Sequence, residues 1–183
     1  MLNRKIFKAF AFYLYNSFFS YFPSHKVRLL YLKKILRIKI GEKTSIGMGC
    51  FFAGNQINIG DHTVINRGVF FDGRVGKIKI GSNVSISQET VIITMSHYIN
   101  SPLFDAYNAD VIIEDYVWTG FRATILPGVV IGKGAVLGVN SLATKSLNPF
   151  GIYVGSPARK ISERITDLKY SLNYFPYFNT DIT

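Results

Sequence analysis

Cysteine is almost missing from this chain. Cys50 is the one thiol among 183 residues. That excludes an intrachain disulfide and a cysteine-rich metal site, and it fits a reducing compartment. Histidine is scarce too, limited to His25, His62 and His97, so there are few candidates for proton transfer at neutral pH. Acid is absent from the N-terminal arm. Residues 1–40 hold nine Lys or Arg, and the first acidic residue is Glu42. Residues 41–183 hold twelve basic and eleven acidic residues, so nine of the ten formal net positive charges sit on the arm. The apolar stretch Ala9–Phe22 is too short to span a bilayer, which takes about 20 residues. No small-residue cleavage site follows it, because Ser20-Tyr-Phe22 is too bulky. What remains is a chain of one domain's length, 48% hydrophobic and 17% charged, with enough apolar content to bury a core.

The arm interleaves its cations with nine aromatics between Phe7 and Phe22. Phe7, Phe10, Leu14, Phe18 and Tyr21 fall on one helical stripe. Two readings stand side by side. In one, residues 1–22 lie in a membrane interface, with Arg4, Lys5 and Lys8 toward anionic headgroups. In the other, the helix packs on its own domain or a neighbouring subunit. No nucleic-acid partner is expected. Pro23 breaks the helix, and Ser24 is placed to cap a second one that runs to about Ile38.

From residue 40 the rhythm changes. Ile113, Thr119, Ile125, Ile131, Leu137 and Ala143 recur every six positions. The segments Ile125-Leu-Pro-Gly-Val-Val130, Ile131-Gly-Lys-Gly-Ala-Val136 and Leu137-Gly-Val-Asn-Ser-Leu142 show it best. The same aliphatic column runs through Ile40, Ile46, Phe52, Ile59, Ile65, Phe71, Ile80, Ile86 and Ile92. A second column of small or β-branched residues lies four positions on, at Thr44, Cys50, Thr63, Val69, Val84, Thr90, Ser96, Val117, Ala123, Val129, Ala135 and Ser141. Period six is neither helix nor plain strand. It predicts a parallel β-helix in which three hexapeptides make one triangular coil and each repeat is a short strand and a turn. Glycines such as Gly47 and Gly132 relieve crowding at the corners. The coil ends need caps, which the N-terminal helices and a short helix near Ile161–Leu172 would supply. The expected organisation is a helical arm at 1–39, the β-helix at 40–160, and a C-terminal helix and tail at 161–183.

The column breaks at three places. Phe52 to Ile59 is one residue over, and Phe71 to Ile80 predicts a bulge around Arg74–Lys77. Ile92 to Ile113 is too long for a corner, so residues 98–110 must leave the coil as a loop, headed by His97. Loops set on a rigid scaffold are favoured places for function.

Three stretches carry a resemblance: the repeats, Thr94-Met-Ser-His97 with its loop, and Val117-Trp-Thr-Gly120 through Val154-Gly-Ser-Pro-Ala-Arg-Lys160, which includes Ser141-Leu-Ala-Thr-Lys145. Over residues 40–161 the chain resembles the hexapeptide-repeat acyltransferases. It is most similar to the sugar O-acetyltransferases of maltose, galactoside, nodulation-factor and exopolysaccharide pathways. The resemblance implies an all-β, left-handed parallel β-helix, although the general crossover rule favours the right hand. It implies a homotrimer with acetyl-CoA lying in clefts between neighbouring coils and no metal. His97 would be the general base that takes a proton from a sugar hydroxyl as it attacks the thioester. Backbone N–H groups would stabilise the oxyanion.

Other residues have two readings each. Asn66 and Asp72 would hold the acceptor, or Asn66 satisfies a corner and Asp72 forms a turn. Trp118 would line the cleft, or pack between subunits. Gly120 and Val139 would border the pantetheine arm through their backbones. Lys145, Arg159 and Lys160 would bind CoA phosphates, or are solvated surface charges. Ser96 and Cys50 occupy small-residue slots and are read as structural. His62 is read as a corner residue. The expected activity is O-acetylation of a sugar or lipid-linked glycan in exopolysaccharide, capsule or lipopolysaccharide synthesis, by a cytoplasmic protein at the inner face of the cell membrane. Rivals of the same fold are an antibiotic acetyltransferase and an amino-sugar N-acetyltransferase, and the non-enzyme alternative is a hexapeptide scaffold. A γ-class carbonic anhydrase needs three His ligands on zinc, which three scattered His do not supply.

Overall fold

A computed structural model describes residues 2–176 and residue 178. From Lys39 onward the chain winds through short strands on three parallel faces. Face 1 stacks Lys39–Ile40, Ile57–Ile59, Ile78–Ile80, Val111–Ile113 and Val130–Ile131. Face 2 begins at Ser45–Ile46 and face 3 at Phe51–Ala53. Each strand pairs in parallel with the equivalent strand one coil on, and the whole fits a left-handed β-helix of about six turns. On face 1, Lys39 registers with Asn58, Asn58 with Lys79, Lys79 with Ile112 and Ile112 with Val130. The step from Lys79 to Ile112 is the long one, because the loop is inserted there.

Both predicted columns point inward. Ile46, Phe52, Ile65, Phe71, Ile86, Ile92, Ile125, Ile131 and Leu137 are buried. So are Cys50, Val69, Val84, Thr90, Val117, Ala123 and Ala135 from the second column. Ser96 is the exception. It is half-buried on the inserted loop, and Thr94, fully buried, is the last side chain the coil holds. Corner crowding is severe. A Cβ on Gly47 would lie 2.6 Å from the backbone nitrogen of Arg67 on the next coil. Two positions further along many corners a non-glycine residue takes the left-handed conformation, as at Lys43, His62, Asn83 and Tyr116 between faces 1 and 2.

The first coil has no strand above it, so its outward N–H and C=O groups need other partners. The arm supplies them. Helix α1 (Leu2–Ser17) packs Ala11 and Tyr15 onto the core. The Asn16 amide imitates a neighbouring strand: its Nδ2 donates to the Phe52 carbonyl at 3.1 Å and its Oδ1 accepts from the Phe52 N–H at 3.0 Å. Helix α2 (His25–Leu30) delivers Arg28, fully buried, whose Nε and Nη2 donate to the Ile46 carbonyl at 3.2 and 2.9 Å. A wider turn over Tyr31–Ile35 follows. Ser24 stands at the start of α2 but makes no side-chain cap.

Most of the stripe turns outward: Phe7, Phe10, Phe18 and Tyr21 are exposed and Leu14 is half-buried, with the Tyr21 ring edge beside Gly49, while Ala11 and Tyr15 on the adjacent face meet the core. One expectation needs correction. The C-terminal helix is not formed between residues 161 and 176. Arg159–Glu163 is a strand, antiparallel to Gly151–Val154, whose pairing satisfies backbone groups at the last coil. The chain then runs extended along the corner between faces 1 and 2. Arg164 donates to the Tyr116 carbonyl at 2.9 Å, Leu172 N–H to Asn83 at 3.2 Å, and His62 Nδ1 to the Leu172 carbonyl at 3.0 Å. Residues 177 and 179–183 of the expected tail lie outside the described residues.

Two measurements test this capping. Asn16→Ala leaves the Phe52 N–H and C=O without partners, and urea unfolding should show a loss of about 1–3 kcal/mol. The second concerns His25. Its Nδ1 accepts from Arg28 Nη2 at 2.9 Å, so Nε2 carries the proton and donates to the Pro176 carbonyl at 3.1 Å. Burial, and next the Arg28 cation, lower the His25 pKa. The folded state therefore binds this proton less readily than the unfolded state. The stability that comes from holding His25 neutral is full above the ordinary imidazole value of about 6.5 and is lost as pH falls through the lower folded value. Urea midpoints compared at pH 7.5 and 5 should fall more for the wild type than for His25→Gln.

Candidate active site

The inserted segment is an antiparallel hairpin, more regular than the expected loop. Met95–His97 pairs with Ala106–Asn108, and His97 lies opposite Ala106. The chain leaves the coil just after Ile93, which still pairs with Asp72 on the coil before. Thr94 donates to the Asp72 carbonyl and pins the exit. At the far end, Ser101 closes the tip by donating to the Asp105 carboxylate at 2.6 Å and accepting from the Leu103 and Asp105 N–H groups at 3.1 Å. The hairpin carries Ile99, Leu103 and Phe104 into solvent.

His97 is half-exposed and held on two sides. Its ring stacks on Phe104 with centroids 3.9 Å apart and planes 15° from parallel. Its Nδ1 lies 2.8 Å from the Phe104 carbonyl oxygen. A carbonyl can only accept, so Nδ1 carries the proton and Nε2 presents a lone pair. Phe104 itself takes a left-handed backbone conformation at φ 54°. A ring held this way can accept a proton at one defined atom.

The other candidate residues fall into four places. Asp72 shares with His97 the corner between faces 3 and 1. It is buried, and its carboxylate accepts from Arg74 Nε at 2.8 Å and Nη2 at 2.9 Å, which raises the Arg74 pKa. Lys145 follows the last strand of face 3 and is exposed. Asn66, Gly120 and Val139 lie along a different corner, between faces 2 and 3. Asn66 donates its amide to the Ile86 carbonyl at 3.0 Å. Gly120 sits against the next coil, where a Cβ would come within 2.5 Å of the Val139 nitrogen. Trp118 is on face 2, exposed, and reaches Ser87 Oγ at 3.4 Å. Arg159 and Lys160 occupy the terminal strand. The Lys160 ammonium pairs with Glu163 at 2.6 Å, which raises its pKa. One chain therefore joins His97 and Asp72 on one edge and leaves Asn66, Gly120 and Val139 on another.

The remaining reactive groups have structural roles here. Burial pushes the Cys50 thiol up to about 12, and the thiol donates to the Asn66 carbonyl at 3.1 Å. His62 anchors the tail. Among the described residues no three His, Cys, Asp or Glu side chains converge on one point. Sequence reasoning missed the Phe104 carbonyl, the acceptor that sets the His97 tautomer. A main-chain atom leaves no mark in composition, and only the long gap in the column pointed toward it.

No protein-family model matches the sequence. A chloramphenicol acetyltransferase of Klebsiella aerogenes is 43% identical over 74 residues, 39% of this chain and 35% of that protein. The chain spans between 28% and 50% of the length of the curated relatives it matches. Solved structures align over more of it. A maltose O-acetyltransferase from Clostridium difficile 630 superposes with a TM-score of 0.77 at 27% identity, covering 90% of this chain and 88% of that one. A hexapeptide-repeat acetyltransferase of Vibrio cholerae, complexed with acetyl coenzyme A, gives a TM-score of 0.73 at 28% identity over 85% of this chain and 84% of that one. In its six-residue rhythm, its stacked triangular coils and these likenesses in sequence and structure, the chain is similar to the hexapeptide-repeat acetyltransferases.

Proposed function

We propose that the protein transfers an acetyl group from acetyl-CoA to a hydroxyl of a sugar, in the synthesis of an exopolysaccharide, capsule or lipopolysaccharide. The observation that carries this reading is the His97 ring, held by Phe104 with Nε2 free. A sugar hydroxyl is a poor nucleophile until its proton has somewhere to go. His97 Nε2 takes that proton while the hydroxyl oxygen bonds to the acetyl carbonyl carbon. The Phe104 carbonyl stabilises the imidazolium that forms at Nδ1–H. When the C–S bond breaks, the electron pair leaves on sulfur, and the imidazolium returns a proton to the thiolate. No covalent acyl-enzyme is needed. The likeness to the acetyl coenzyme A complex supports the donor, and the likeness to the maltose O-acetyltransferase supports a sugar acceptor.

The division of candidate residues between two edges supports a homotrimer. Where the His97 edge of one copy meets the Gly120–Val139 edge of the next, both sets face one cleft. The exposed Ile99, Leu103 and Phe104 of the hairpin then have an apolar surface to cover. Lys145 and Arg159 are the cations free to meet CoA phosphates, whereas Lys160 would first have to release Glu163. The exposed aromatic stripe and the acid-free arm support a position at the cytoplasmic face of a membrane. A second reading, acetylation of an antibiotic hydroxyl, rests on the 43% identity to the chloramphenicol acetyltransferase.

His97→Ala should lower kcat/KM by about 10²–10⁴-fold with the best of a panel of sugar and chloramphenicol acceptors, while calorimetry shows CoA still bound. A loss below tenfold would remove His97 from the chemistry. Static light scattering should give about three times the 20.6 kDa chain mass. Mixed assembly tests the shared cleft. His97→Ala and a Val139→Glu chain, whose change lies on an exposed side chain of the opposite edge, each inactive alone, should regain activity after being unfolded and refolded together. A monomeric active enzyme would contradict the shared cleft.

A further inference from the structure

Between α1 and the segment Lys34–Arg37 lies a cavity of about 570 Å³. Four cations line it, Arg4, Lys8, Lys34 and Arg37, and no carboxylate does. None of the four is in a salt bridge among the described residues. Lys8 is held in place, donating to the Asn55 side chain at 3.0 Å, and Asn55 in turn donates to the Leu36 carbonyl at 3.2 Å. Arg37 is turned into the left-handed region at φ 58°. Four like charges around one space repel each other unless an anion sits among them. Arg and Lys together offer charge-assisted hydrogen bonds of the kind a phosphate group takes.

Apart from Asn55, the rest of the lining is apolar, Phe7, Phe12 and Ile35 among it. Phe7 is also 70% exposed, and beyond it Ile6, Phe10 and Tyr13 stand 59%, 55% and 59% exposed on the face of α1 that turns away from the coil. A cationic floor beneath an apolar ridge matches an amphiphile better than a soluble anion, because a free phosphate would leave the ridge in water. No helix among the described residues is long and apolar enough to cross a membrane, so the ridge would lie in the interface.

We propose that this cavity binds the phosphate of an anionic membrane lipid, with Ile6, Phe7, Phe10 and Tyr13 embedded beside it. The inference extends the membrane-surface reading above and does not depend on acetyl transfer. Helix α1 also caps the first coil, so deleting the arm would unfold what it is meant to test. Point variants of the full chain avoid that.

The experiment is co-sedimentation with vesicles of phosphatidylcholine, alone and with phosphatidylglycerol added. The wild type should partition onto the phosphatidylglycerol vesicles, and less so as salt is raised. Lys34→Gln with Arg37→Gln should weaken that binding about 30-fold, since each cation near an anionic surface contributes about 1 kcal/mol. Arg4→Gln alone should weaken it about fivefold by the same constant, and it leaves the turn at Arg37 untouched. Lys77→Gln with Lys79→Gln removes equal charge from the coil and should change it less than twofold. Binding that ignores phosphatidylglycerol, or falls equally in the coil variant, would overturn the proposal. So would tight binding of inorganic phosphate or glycerol phosphate without vesicle binding, which would mark a soluble ligand. The Lys34→Gln, Arg37→Gln chain should keep wild-type acetyl transfer to a soluble acceptor. If the wild type itself lacks that activity, the catalytic reading fails while the lipid reading stands or falls on the vesicles.

Discussion

Each coil of this protein can bury its aliphatic column and pair its strands only because another coil lies against it. Ile46, Ile65, Ile86, Thr119 and Leu137 are stacked side chains in one such column, and the backbone ladders beside them are continuous. The constraint is strict along the axis and lenient outside it. A corner residue may be a glycine, a histidine or a tyrosine if it can take the required backbone turn. An aliphatic position cannot slip by one residue without turning its side chain outward. This is why the chain can hold a protruding hairpin between Ile93 and Val111 and still resume the same three faces.

The ends of the stack are where the repeat stops helping. Asn16, Arg28 and the Ser20 carbonyl together close the first coil, meeting Phe52, Ile46 and the Gly49 N–H. Arg28 is buried without a carboxylate, and burial lowers its pKa. Backbone carbonyls carry the interaction instead, and the neutral His25 beside it avoids a second buried charge. At the other end a strand turned antiparallel does the same work, and the tail runs back along one corner to His62 and His25. The tail covers that corner, and the candidate residues His97 and Gly120 lie on the other two.

What was legible in the sequence follows from this division. The interior columns could be read because each position answers to one requirement, repeated at a fixed period. The gap at His97 could be read because a column cannot skip so many residues. Less could be read wherever a residue serves a partner distant in sequence. Ser96 continued the period on paper, yet Thr94 is the last side chain inside, since the exit is set by the bond from Thr94 to the Asp72 carbonyl. The stripe from Phe7 to Tyr21 was real but most of it faces outward, because the coil selected the face bearing Ala11, Tyr15 and Asn16. Residues 161–172 looked helical in isolation, and an unpaired coil end drew the first of them into a strand. The candidate site divides in the same way. His97 was found by position, whereas the Phe104 carbonyl and the Asp72–Arg74 pair appear only in three dimensions.

The central claim is that an imidazole fixed by its own hairpin abstracts a proton in a cleft completed by a second copy of the chain. A crystal structure with CoA and an acceptor sugar bound tests it most directly. The account predicts His97 Nε2 within about 2.6–3.2 Å of the acceptor hydroxyl, with the Gly120–Val139 edge of a neighbouring subunit forming the opposite wall. An acceptor bound beyond reach of that nitrogen, or CoA enclosed by a single copy, would contradict it.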